Sequence, residues 1–305
     1  MFFFPYRADL ELLQVPLLTF LICLACALIY WAQADNEHKI NATTKEFCAE
    51  SAPRDYQNII KKITGRSAKN ICAGLMYQIR RAADPETYVR TQLIRDARFA
   101  GYSVAESQDY MTSIVMLQFE RYKERTPEYL TAKLWYQPET FNPMTMLSAA
   151  LSHGSWSHLV GNLFFFFAFA ATVEVILGMW RFVLFTVTLA VSTHIAYSLT
   201  SLGMEAPIPT VGLSGVVMGM MGMFAWFLPA HGIRCIWWFF VIFKRIVVPA
   251  WILFVWYLGW DVYALTQGDS GGVNLVAHVS GAIIGYGVGF VFLRRRKDEF
   301  LLLAQ

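Results

Sequence analysis

Gly212-Leu213-Ser214-Gly215-Val216-Val217-Met218-Gly219 heads an apolar run that reaches about residue 228, and Ala277-His278 lies inside a second apolar run some sixty residues further on. A serine and a histidine are the parts of a nucleophile and its general base. Each sits in a stretch hydrophobic enough to cross a bilayer, where polar side chains are costly unless a function or a buried partner retains them. A lone Gly-x-Ser-Gly reads more simply as helix packing around a back-bonded serine. The weight of the pair therefore rests on whether both residues reach the same depth.

The composition sets the medium. Of 305 residues, 56% are hydrophobic and 15% charged, which is not the balance of a soluble domain. A net charge of +3 is too small for a nucleic-acid footprint, so no nucleic-acid partner is expected. The fold class expected is an all-α polytopic membrane protein, with the lipid bilayer as its surroundings. Six stretches are long and apolar enough to span, about 13–33, 155–177, 180–200, 209–228, 246–265 and 273–293. The segment Ile236-Trp237-Trp238-Phe239-Phe240-Val241-Ile242-Phe243 is too short to cross alone and reads as an interfacial or re-entrant piece feeding the fifth span.

Orientation follows from the short loops. Arg181, Arg234, Lys244, Arg245 and Arg294-Arg295-Arg296-Lys297 all fall on one side of a six-span arrangement, whereas loops 201–208 and 266–272 carry Glu205 and Asp269 but no Lys or Arg. The positive-inside rule then puts both termini in the cytosol, and a bacterial inner (plasma) membrane is the expected location. Met1-Phe2-Phe3-Phe4 does not start a signal peptide, because the apolar run that follows is long and lacks a small-residue cleavage pattern.

Residues 1–33 read as a cytosolic N-terminus with the first span. Residues 34–140 form a small, mainly helical extracytosolic domain inserted between the first and second spans. Residues 141–293 form a core of five spans, and 294–305 a basic cytosolic tail. In the inserted domain Ile59, Ile60, Ile63 and Leu75, Met76, Ile79 repeat at helical spacing. Ile114, Met116, Leu117, Phe119 and Tyr122 suggest a further amphipathic helix, and Asp84-Pro85-Glu86 a helix start. Cys23, Cys26 and Cys235 suit packing, whereas Cys48 and Cys72 share the external domain, where a disulfide is permitted but not fixed by spacing. Asn41-Ala42-Thr43 is a glycosylation sequon with meaning only in a eukaryotic secretory host, and it is not expected to be used.

Depth decides the pair. Ser214 lies a few residues into the fourth span and His278 about six into the sixth, both from the external end, which places each roughly 6–9 Å below that surface. Gly219 and Gly222 on one helix and Gly281, Gly285 and Gly289 on the other provide small-residue faces for close approach. In the same external layer, His153-Gly154-Ser155-Trp156-Ser157-His158 precedes Asn162 at the entrance of the second span. His158 and Asn162 are four apart and stack on one helix face, where both can donate hydrogen bonds to an oxyanion. His153 is placed with them as a further oxyanion-stabilising candidate, against the plainer reading of an interfacial residue with structural hydrogen bonds, which weighs more for His153 than for the His158–Asn162 pair.

His153-x4-His158-x3-Asn162, Gly212-Leu213-Ser214-Gly215 and Ala277-His278-x2-Gly281-x3-Gly285 stand in this order over about 142–293. Together they resemble the rhomboid family of intramembrane serine proteases. The resemblance implies a six-helix catalytic core and a Ser214–His278 catalytic dyad. It also implies an oxyanion site from His158, Asn162 and the Ser214 backbone N–H, with His153 nearby and Glu174 in a structural role. Two positions depart from the family pattern: Met144-Thr145 stands where many members have Trp-Arg, and Met218 where bacterial members often carry a tyrosine against the histidine.

The expected activity is therefore serine endopeptidase cleavage of single-span membrane proteins near the external face, with no cofactor and no metal. No Asp or Glu is expected at the depth of His278, and Glu174 is read as the one carboxylate well inside a span, so the resemblance and the spacing together suggest a dyad and not a triad. The alternative is an inactive rhomboid-like protein that binds membrane clients. A transporter is disfavoured by the shortage of intramembrane carboxylates, and a zinc hydrolase by the lack of His-Glu-x-x-His. His194 is read as a packing residue.

Overall fold

Twelve helices and three strands carry the described residues of the computed structural model, which are 2–298 apart from 11, 13, 83, 96, 205–206, 240–241, 269–270 and 295–296. The chain divides into two units, Met1–Tyr30 with Leu134–Gln305, and Trp31–Lys133. The sequence readings at Glu205, Asp269, Arg295 and Arg296 lie outside the described residues.

The first unit opens with strand β1 (Phe2–Ala8) and the start of helix α1 (Leu17–Ala49). α1 is one helix of 33 residues, so the apolar span and the polar residues up to Ala49 share a single element. The second unit contains α2 (Arg54–Thr64), α3 (Ala68–Arg81), α4 (Pro85–Tyr88) with a π-turn at Val89–Ile94, α5 (Val104–Arg125) and most of α6 (Leu130–Leu134). Its core is the apolar stripe of α2 and α3, with Ile59, Ile60, Leu75, Met76 and Ile79 buried. On α5 the buried stripe is Met111, Val115, Phe119 and Tyr122, while Leu117 is exposed. The stripe therefore follows the three-to-four residue spacing of one helix face, and Leu117 falls off it. Asp84 caps α4 by accepting from Glu86 N–H at 3.1 Å, with Pro85 in the first turn. Cys48 and Cys72 form a disulfide between α1 and α3.

The remainder of the first unit is α7 (Pro143–Leu151), α8 (Trp156–Leu177), α9 (Met179–Thr200), α10 (Ser214–Phe227), strands β2 (Gly232–Phe239) and β3 (Ile242–Pro249), α11 (Ala250–Gln267) and α12 (Leu275–Val288), which ends in a π-turn at Gly289–Leu293. Among the described residues, four helical segments are long and apolar enough to cross a membrane: α1, α8, α9 and α12 with its π-turn. α10, at 14 residues, is shorter. α1 and α8 run antiparallel, because Thr19 sits at Glu174 near the end of α8 and Tyr30 packs on Trp156 at its beginning. Glu174 is buried and accepts from Leu18 N–H at 2.9 Å, Thr19 N–H at 2.7 Å and Thr19 Oγ–H at 2.7 Å. It thus satisfies open N–H groups of the first turn of α1.

α10 is the centre of the bundle, buried from Gly215 to Phe227. Its most extensive interface is with α12. Gly281 abuts the Gly215 carbonyl, Gly285 the backbone of Gly219, and Gly222 the Ala282 carbonyl, so any Cβ at these places would strike main chain. The small residues let two backbones touch, as expected where lipid leaves packing as the main source of helix association.

The all-α expectation needs correction. β1, β2 and β3 form an antiparallel sheet in that order, and of the segment read as interfacial or re-entrant, 236–239 belong to β2 and 242–243 to β3, while 240–241 lie outside the described residues. β2 alternates, with Ile233 and Cys235 buried and Arg234 exposed, and Arg234 pairs with Asp9 at 2.6 Å. Short apolar runs rich in β-branched and aromatic residues are ambiguous between helix and strand, and pairing decides them. Pro5 is tolerated because β1 is an edge strand whose register shifts between Pro5 and Arg7. Phe4 packs on Phe164 and Phe165 of α8, while Phe3 packs on Trp256 of α11 and accepts from the Tyr257 hydroxyl.

Candidate active site

Ser214 is the first residue of α10, so the nucleophile candidate stands at the head of a helix and not inside one. The residues before it are non-helical. Gly212 N–H donates to the Ala149 carbonyl at 2.8 Å, which pins this approach to the end of α7. Gly212 has φ +127°, and a Cβ there would lie 2.6 Å from Cε1 and 2.8 Å from Nε2 of His158. Only glycine admits both that backbone and that ring. The first N–H groups of α10 have no intrahelical acceptor and point toward the space ahead of the helix.

Across that space lies the start of α8. Ser155 caps it by accepting from His158 N–H at 3.2 Å. The rings of His153 and His158 meet edge to face, with centroids 5.2 Å apart. Burial, and then the neighbouring His158, push the His153 imidazole down to about 4, so it is neutral at ordinary pH. Asn162, one turn beyond His158, is buried, and its Nδ2 makes no hydrogen bond. That nitrogen lies 3.7 Å from where a Gly212 Cβ would stand.

His278 enters from α12, whose N-cap Asn274 accepts from Ala277 N–H at 3.0 Å. The contact of Gly215 with the Ala277 carbonyl, 3.2 Å from a Gly215 Cβ, brings the two residues adjoining Ser214 and His278 together. His278 is also close enough to His158 for their charges to interact. Nε2 of His278 is buried and makes no hydrogen bond, so the Ser214–His278 hydrogen bond is not formed in this structure. Such bonds are often long before substrate binds.

One expectation fails here. Nδ1 of His278 lies 3.0 Å from Oδ2 of Asp261 on α11, so a carboxylate does stand at the depth of the histidine. Asp261 is close to the end of the apolar run, among aromatic residues, and its link to His278 depends on how α11 and α12 align. A carboxylate inside the stretch read as the fifth span is itself a signal, but nothing local names its partner. Met144 is exposed at the start of α7, Met218 is buried inside α10, and His194 bonds the Ala190 carbonyl and packs on Tyr136. A cavity of about 210 Å³ is lined by Tyr197, Ile208–Thr210, Gly268 and Gly272–Val276. It touches the loops at 201–208 and 266–272 but neither Ser214 nor His278.

Long apolar helices around a short buried one define an integral membrane protein of the polytopic kind. The rhomboid domain model matches residues 140–295, just over half of the chain, and the chain belongs to the rhomboid family. That family is in general one of intramembrane serine proteases. No curated protein matches the chain, and no solved structure does.

Proposed function

We propose that the chain is an intramembrane serine endopeptidase that cleaves single-span membrane proteins near the external face, with Ser214 as nucleophile and His278 as general base. The observation that carries this reading is the pair of buried, unpartnered polar atoms, Asn162 Nδ2 and His278 Nε2, gathered beside the head of α10. Buried polar atoms without partners are rare in folded proteins and call for a reason. An acceptor and a donor left open beside a serine suit a base and an oxyanion site.

In the proposed reaction Ser214 Oγ attacks the scissile carbonyl while its proton passes to His278 Nε2. The carbonyl electrons move to oxygen, which is held by Asn162, His158 and main-chain N–H at the start of α10, with neutral His153 supporting His158. His278 then returns the proton to the leaving amine as the C–N bond breaks, leaving an acyl-enzyme. A water repeats the sequence and frees Ser214. α10 is about 21 Å long at 1.5 Å per residue, well short of the ~30 Å hydrocarbon core, so a serine at its head lies below the surface yet within reach of water. With α10 and α11 counted as spans beside the four long helices, the core has six spans and both termini lie in the cytosol. The loops at 201–208 and 266–272 border the cavity beside the site and are proposed to move for substrate entry.

The test is cleavage of a single-span substrate by the purified protein in detergent, with Ser214→Ala and His278→Ala alongside. Both variants are expected to be inactive, and cleavage by Ser214→Ala would overturn the reading. A serine-directed phosphonate that labels the wild type but not Ser214→Ala distinguishes an enzyme from an inactive client-binding relative.

A further inference from the structure

We propose that Asp261 is a positioning residue for His278, so that the site works as a Ser214–His278–Asp261 chain and not as a dyad; this rests on the protease reading above. Nδ1 of His278 is 3.0 Å from Oδ2 of Asp261, and the two side chains are only 16% and 20% exposed. A carboxylate can only accept, so the proton sits on Nδ1 and the lone pair is left on Nε2. That is the tautomer a general base for Ser214 requires. Nε2 is the atom found buried and without a partner.

The pairing is held by the alignment of α11 with α12. Phe254 stacks on Tyr286 at 5.8 Å and 18°, about two turns below the Asp261–His278 bond. Trp251, Val255, Trp256, Trp260, Val262 and Tyr263 of α11 are exposed, so its outer surface is apolar. A carboxylate on such a helix is costly unless it turns inward to a partner. During attack the Ser214 proton goes to Nε2, the Nδ1 proton stays where it is, and Asp261 remains ionised and faces the imidazolium. His158 on α8 is a further titratable group that His278 influences. α10 bears no charged side chain, and His194 on α9 bonds its own helix.

The experiment compares the wild type with Asp261→Asn, Asp261→Ala, Asp261→Glu and Ser214→Ala, measuring kcat, KM, Tm and the rate of fluorophosphonate labelling. Asp261→Asn is expected to lower kcat by about 100-fold or more with KM and Tm nearly unchanged, and to slow labelling in parallel. Asp261→Glu is expected to recover part of the loss. Wild-type kcat in Asp261→Asn would overturn the inference, as would a loss that follows Tm alone. If Asp261→Asn does not fold, folded Asp261→Ala decides: slowed cleavage and slowed labelling, partly recovered in Asp261→Glu, are expected, and a wild-type labelling rate in Asp261→Ala overturns the inference. Cleavage by Ser214→Ala removes the protease reading itself, whereas inactive Ser214→Ala with fully active Asp261→Asn removes only the role of Asp261.

Discussion

The roles proposed for single side chains around Ser214 are separable, and each can be tested at its own position. Asn162→Ala removes a proposed oxyanion donor and should lower kcat by about 10²–10³-fold with little change in KM, as read from initial rates over a range of substrate concentration. Gly212→Ala should abolish cleavage and cost about 1–3 kcal/mol, because it adds an unfavourable φ to a collision with the His158 ring; Tm and activity are both read. His153 is held down to about 4, below its usual 6.5, so the unfolded chain takes up a proton before the folded one does. Stability should then fall as pH drops from about 6.5 to 4, by about 3 kcal/mol, and the slope should be smaller in His153→Gln. The motifs at His158, Asn162, Ser214 and His278 were legible because each is short and local. Asp261 was not, since nothing near it in sequence connects it to a histidine on another helix.

Packing between elements explains which substitutions will spread. Gly285 faces the backbone of Gly219, so Gly285→Ala must push α10 and α12 apart, with an expected cost of about 3 kcal/mol and a loss of cleavage through misplacement of His278. Thermal unfolding and activity at a permissive temperature separate the two effects. Glu174→Ala leaves three donors at the start of α1 without acceptors and should destabilise by about 2–4 kcal/mol, with turnover retained in the folded fraction. The long helices were legible from hydropathy, and so to within two residues were the ends of α8, α9 and α12 with its π-turn, whereas the far end of α1 and the start of α10 were not. α10 begins at Ser214 because the Gly212 turn and its bond to Ala149 stop any earlier start, and such tertiary ties leave no mark on an apolar run. The strands were missed for a related reason. β1 joins β2 and β3 in a sheet by pairing across most of the chain, which no local window contains.

For the molecule as a whole, the two units hold themselves together by different means. The Trp31–Lys133 unit is closed by Cys48–Cys72, a loop whose removal should cost about 3 kcal/mol. Reduction, or Cys48→Ala with Cys72→Ala, is expected to speed proteolysis within residues 31–133, as mapped by mass spectrometry. The membrane unit relies on the Gly-lined contact of α10 with α12 and on the sheet that gathers β1, β2 and β3. That sheet sets the order of biogenesis. β1 leaves the ribosome first, yet its partner β2 follows more than two hundred residues later. At about 5–20 residues per second, β1 must wait roughly 10–50 s with an unpaired apolar edge. The fold is closed by later-made strands meeting an earlier one, so β1 is the part most in need of shelter while the chain is still being made.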